Sequence, residues 1–216
     1  MRISTGVDGL DRILRGGLLP GRTYLVEGNP GTGKTTLGLH FLSAGEKGLL
    51  IAFAQSEEHI RADAASLGLN IDRTRILDLG PPPEVFSEVQ TYDIFSSAEV
   101  EREPVSRQIA SAINEFKPER IFVDSFAQFR NLASDPFQCR RLAQSFFRFA
   151  TLHGATLLVS SEESYNERDV DGAIHLGFST QGRIIRVTKF RGSDFHAGDH
   201  PMRLSSEGLQ VFLSAA

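Results

Sequence analysis

Short apolar runs rich in Val, Ile and Leu recur along the chain at 23–28 (TYLVEG), 48–53 (GLLIAF), 75–79 (RILDL), 120–125 (RIFVDS) and 155–161 (ATLLVSS). Such runs suit strands buried on both faces of a parallel sheet. The longer segments between them, 34–45, 57–67, 105–116 and 136–153, carry helical patterns. In the last, Leu142, Phe146 and Ala150 stand four apart and form an apolar stripe for core packing. From residue 172 the pattern changes to GAIHLGF, a Thr-Gln-Gly turn, RIIRVTKF and a final GLQVFL, which reads as antiparallel strands finishing the sheet. The predicted fold is α/β: a mostly parallel central sheet flanked by helices, with antiparallel C-terminal strands, in one domain over 1–216. Residues 80–104 break the pattern. Pro81, Pro82 and Pro83 stiffen a turn and exclude a central strand, so a surface excursion suited to contacting a partner is expected there.

Composition narrows the class. At 216 residues and 40% hydrophobic content the chain can bury one sizeable core. Its net charge is −4, with Lys and Arg spread along the chain, so it carries no electrostatic footprint for nucleic acid. The single cysteine, Cys139, cannot close an internal disulfide and sits in a helical pattern as a small helix residue. With no leader pattern and no apolar run of membrane-spanning length, the cytoplasm is the expected compartment.

The chemistry concentrates in GNPGTGKT, residues 28–35, which fits the phosphate-loop pattern of Gly, four residues, Gly-Lys-Ser/Thr. Gly28, Gly31 and Gly33 let backbone N–H groups turn inward around phosphate oxygens, where a side chain would block the approach. Lys34 supplies a point charge and Thr35 a hydroxyl for a magnesium ion. The helix that opens here directs its positive end at the same anion. Asp124, closing the apolar run IFVD, fits the second magnesium position across the sheet. The next residue is Ser125, so an acid directly following the metal aspartate is absent.

On two specific segments the chain resembles a known group. ISTGVDGLDRILRGGLLPGRTYLVEGNPGTGKTTL looks like the opening of the KaiC-like ATPases, the clock-protein branch of the RecA superfamily. KFRGSDFHAGDHPMRLSSEGLQVF looks like their closing segment, and the similarity covers nearly the whole chain. The resemblance implies a RecA-like P-loop NTPase core that assembles with itself into a ring, usually of six subunits, with ATP and magnesium between neighbours. It implies ATP contacts from Gly31, Thr32, Gly33, Lys34, Thr35 and Thr36 in the loop and from Ser66 near the base. Lys189, Phe190, Arg191 and Ser193 would come from the adjacent subunit. Lys189 and Arg191 are two apart on a strand, so both emerge on one face and could neutralise charge on a transferring phosphoryl group.

The chain departs from that group at the strand after the loop. KaiC-like domains end it Phe-Glu-Glu-Ser/Thr, whereas this sequence reads Phe53-Ala54-Gln55-Ser56. Gln55 can orient a water, but its amide does not usefully accept the proton. Glu57 and Glu58 follow the N-cap Ser56 and suit the first turn of a helix without catalysis. Glu162 and Glu163 are a second possible source of an acid. Where the clock protein carries phosphate-accepting Ser and Thr, this chain has Glu167 and Arg168, which disfavours self-phosphorylation; Ser161, Ser164 and Tyr165 lie nearby unmarked. The cluster DFHAGDH, 194–200, offers Asp194, His196, Asp199 and His200 as ligand-like side chains, but Gly198 and Pro201 argue against the helix that would align them. The resemblance sets Phe195 where the family often has a base-contacting histidine.

Three functions are expected in descending order. The first is a ring-forming, nucleotide-dependent switch or scaffold with weak or absent hydrolysis, which would work with a signalling protein as partner. The second is an active ATPase using Gln55 or a substitute acid, with Lys189 and Arg191 in trans. The third is a RecA-like module acting on single-stranded DNA, which the acidic balance and the lack of a basic, aromatic-rich loop disfavour. Because the chain begins and ends tightly on the family motifs, excision from a longer two-domain protein is also expected.

Overall fold

The computed structural model describes residues 1–81, 98–133, 135–162 and 167–214. Its first five strands follow the apolar runs: β1 (Thr23–Glu27), β2 (Gly48–Ala52), β3 (Thr74–Asp78), β4 (Arg120–Asp124) and β5 (Thr156–Ser161). β6 (Gly172–Ser179), β7 (Gly182–Phe190), β8 (His200–Ser205) and β9 (Gly208–Val211) complete them. Together they form one sheet in the order β3-β2-β4-β5-β1-β6-β7-β8-β9. The strands from β3 to β6 in that order are parallel, and β6 to β9 are antiparallel. The mostly parallel α/β architecture with an antiparallel C-terminal part is as the sequence predicts.

The helices are α1 (Asp8–Ile13), α2 (Lys34–Ser43), α3 (Glu57–Ser66), α4 (Ala98–Phe116) and α5 (Pro136–Leu152). Alternation along the buried strands sends side chains to two cores. Tyr24, Val26, Leu50 and Phe122 join Leu37 and Phe41 of α2 on one face. Leu25, Leu49, Ile51, Ile121 and Val123 join Ile113 of α4 and Phe146 and Phe147 of α5 on the other. Gly38 lets α2 lie against β4, since a Cβ there would stand 2.1 Å from the Phe122 ring. Caps start two helices where the sequence places them: Ser56 accepts from His59 N, and Asp135 accepts from Gln138 N ahead of Pro136.

The differences are local. α4 starts at Ala98 and runs through Pro104, rather than beginning at 105. Of the expected excursion over 80–104, residues 82–97 lie outside the described residues. β8 begins at His200, a residue that draws attention to ligand chemistry, although buried His200 and Met202 alternate with exposed neighbours as a strand requires. Among the described residues no helix is long and apolar enough to cross a membrane.

Candidate functional site

Parallel neighbours bring the C-terminal ends of β1, β2, β4 and β5 to one side of the sheet, where α/β proteins bind ligands. The glycine-rich loop leaves β1 here and enters α2 at Lys34, with Gly33 in the left-handed region at φ 106°. Gly28 is fixed by close approach: a Cβ would meet the Leu176 carbonyl oxygen at 2.3 Å and Thr32 Oγ1 at 2.8 Å. Thr32, fully buried, donates to the Asn29 carbonyl at 2.8 Å and holds the loop folded. Lys34 Nζ donates to the carbonyls of Gly28 (2.7 Å) and Asn29 (3.1 Å), so its ammonium curls over the loop that it would serve. Gly31 is exposed, and Thr36 lies half-buried in the first turn of α2.

The structure brings Thr35 and Asp124 together: Thr35 Oγ1 donates to Asp124 Oδ2 at 2.6 Å. Hydroxyl and carboxylate are the hard oxygen donors that magnesium takes, so the pair fits the ion. Ser160 on β5 donates to the other carboxylate oxygen at 2.6 Å, a contact the sequence reading did not single out. Its signal was a pair of serines ending an otherwise apolar strand. Arg183 was also missed. The β6–β7 hairpin carries it to the loop, where Nη2 donates to Gly31 O at 3.3 Å and the guanidinium lies 5.2 Å from the Phe178 ring centre.

Beside the Thr35–Asp124 pair lies a cavity of about 180 Å³, lined among others by Ala54, Gln55, Ser125 and Glu162. Gln55 lines it, but its amide leans to Asp63 Oδ2 on α3, 3.5 Å away. Glu57 pairs with Arg61 at 2.7 Å, one helical turn on, and Glu58 is exposed in the same first turn. Glu162, just past β5, stands 3.9 Å from Lys34 Nζ. Glu163, Ser164 and Tyr165 lie outside the described residues.

The remaining candidates sit elsewhere. Ser66 ends α3, about 15 Å along the helix from the site, and its hydroxyl donates to the Asp63 carbonyl of its own helix. Phe190 pairs with Gly172, which pairs with Tyr24, so Lys189 to Ser193 lie at the N-terminal end of β1, roughly 13 Å of strand from Gly28. Within one chain they do not reach the phosphate loop. Lys189 Nζ donates to the carbonyls of Glu167 and Val170, and Arg191 pairs with Asp171 at 3.3 Å. Both side chains thus meet the same segment, as their two-residue spacing implies. Phe190 is buried against Tyr24, and Ser193 accepts from Arg2 Nη2 at 2.5 Å.

In the 194–200 cluster three of the four candidate side chains have partners, and His196 is tied through its backbone, its N–H donating to Ile13 O at 2.9 Å. Asp194 pairs with Arg15 and Asp199 with Arg186, while His200 accepts from Ser214 N through Nδ1. The Arg186 contact holds the Asp199 carboxyl below its usual range. Phe195 packs on the first core. Glu167 accepts from Thr188 at 3.0 Å, and Cys139 is half-buried in α5, its thiol pushed up by burial.

Comparison with known proteins adds ancestry to this geometry. A family model described as ATPase: KaiC matches residues 3–216. The Circadian clock oscillator protein KaiC of Parasynechococcus marenigrum is 29% identical over 98% of this chain and 44% of its own length. That of Nostoc sp. is 30% identical over 98% and 44%, and the Circadian clock protein KaiC2 of Synechocystis sp. 28% over 98% and 40%. The chain spans a little under half the length of these curated relatives.

Proposed function

Because the chain belongs to the KaiC ATPase family, we propose that its phosphate loop binds Mg-ATP and that the bound nucleotide joins copies of the chain into a ring, usually of six. ATP binding is the family's common property. The ring, the slow chemistry and the cytoplasmic setting are the finer parts of the proposal.

The observation that carries it is the 2.6 Å contact of Thr35 with Asp124 beneath a loop whose carbonyls already hold Lys34. In this reading Lys34 turns from Gly28 and Asn29 to the phosphates, while Thr35 and Asp124 hold the magnesium, which neutralises phosphate charge. Lys189, Phe190, Arg191 and Ser193 serve the neighbouring subunit's nucleotide. The separation of that segment from its own loop supports an intersubunit role. Lys189 must then leave the Glu167 and Val170 carbonyls, and Arg191 must leave Asp171. Ser66 is kept as a contact near the base of its own chain's nucleotide, for which its hydroxyl must leave the Asp63 carbonyl.

Hydrolysis is proposed to be slow, because Ala54 has no carboxylate and Gln55 faces Asp63. The domain then works as a switch or scaffold, since nucleotide at a boundary stabilises the assembly by mass action alone. A signalling protein is the partner class that suits such a device. The test is a titration of labelled ATP with magnesium into pure protein: saturable uptake is expected, and none would end the proposal.

A further inference from the structure

The cavity beside Thr35 is lined by two carboxylates, Asp124 and Glu162. Asp124 is committed on both oxygens, to Thr35 and to Ser160, each at 2.6 Å. Gln55, on the opposite wall, turns its amide to α3 and offers no proton acceptor of useful basicity. Glu162 is different. Its side chain is 52% exposed, and among the described residues it makes one ion pair, with Lys34 at 3.9 Å. A phosphate-loop lysine reaches the β- and γ-phosphates. A carboxylate that shares a cavity with Thr35 and Asp124 and pairs with that lysine therefore faces the space proposed for the terminal phosphoryl group.

We infer that Glu162 is the general base for whatever ATP hydrolysis this chain performs, a carboxylate supplied from the end of β5 where β2 has lost its own. The inference rests on the ATP-binding reading above. When the phosphates draw Lys34 away, Glu162 is left facing the cavity and takes a hydrogen bond from a water held there. That water's oxygen bonds to the γ-phosphorus as the bond to the β,γ-bridging oxygen breaks. The electron pair stays on the ADP oxygen. The water's proton passes to a Glu162 carboxylate oxygen and then to solvent. General-base catalysis contributes about 10²- to 10⁴-fold. Gln55 at most orients the same water.

The same placement has a binding consequence. Glu162 competes with phosphate for Lys34, so removing its charge should leave ATP uptake unchanged or tighter. A merely structural role predicts weaker uptake and lower thermal stability instead.

The experiment uses the whole chain with three substitutions, Glu162→Gln, Glu162→Asp and Gln55→Ala, and Lys34→Ala as the blank. Mg-ATP uptake and phosphate release are measured on the same samples. Glu162→Gln is expected to lower phosphate release about 100-fold with uptake no weaker, Glu162→Asp to retain part of the rate, and Gln55→Ala to lose less than Glu162→Gln. Unchanged release in Glu162→Gln overturns the inference, as does a loss of release that only parallels lost uptake. Saturable uptake with no release above the blank in the unsubstituted chain also overturns it, leaving the ATP-binding reading standing. Absence of uptake in the unsubstituted chain removes both.

Discussion

At the residue scale the decisive contacts are short and few. Lys34 curls onto two loop carbonyls and Thr35 onto Asp124. Replacing Lys34 by Ala removes the ammonium held over the cradle. Charge-assisted hydrogen bonds of this type contribute about 1.5–3 kcal/mol, so ATP uptake should weaken about 10- to 100-fold, read by the same titration. Asp124→Asn is a separate test of the magnesium role. It should make uptake nearly equal with magnesium and with a chelator, whereas the unsubstituted chain should show a clear preference for magnesium. A preference that survives the substitution would move the ion elsewhere. Glu57, which sequence alone leaves as a spare acid, is tied to Arg61, and its replacement should leave phosphate release unchanged.

At the element scale, α2 is held from both sides. Gly38 admits the Phe122 ring, and Gly38→Ala forces a Cβ to within 2.1 Å of it. Overpacking of this kind costs about 1–3 kcal/mol, so urea or thermal unfolding should show a clear loss of stability. On the same helix, His40 Nε2 accepts from Leu209 N at 2.8 Å and ties α2 to β9. Burial pushes the His40 pKa below its ordinary 6.5, partly opposed by its hydrogen bond to the Gly6 backbone. The unfolded chain then binds the proton more readily than the folded one. The His40 contribution is fully present above about pH 6.5 and is lost as pH falls towards the lower folded value. Unfolding free energy should therefore decline on acidification from pH 7, and His40→Gln should flatten that decline. Equal slopes in the two proteins would remove His40 as the cause. The strands themselves were legible because buried parallel strands write continuous apolar runs. β8 was not, because its alternation is only six residues long and begins with a histidine.

At the scale of the whole molecule, the phosphate loop and the Lys189–Ser193 segment lie at opposite ends of β1 and its neighbour β6. A site that uses both needs two chains. Molar mass in solution should rise when Mg-ATP is added, and Arg191→Ala should blunt that rise while leaving uptake at the phosphate loop nearly intact. A monomer with and without nucleotide would confine the site to one chain.

The amino-acid sequence alone determined the parts of this protein that depend on neighbours in the chain. The cradle is eight consecutive residues whose glycines set the backbone path, and the family follows from its opening and closing motifs. The absence of the usual acid pair is equally local, readable at Ala54 and Gln55. Tertiary structure alone decided which distant groups share the space above the strands. Setting β5 between β4 and β1 put Ser160 on Asp124 and Glu162 beside Lys34, while the β6–β7 hairpin put Arg183 on Gly31. Periodicity reports which face of an element is buried, but it carries no information about which elements become neighbours, and those contacts arise only from that pairing.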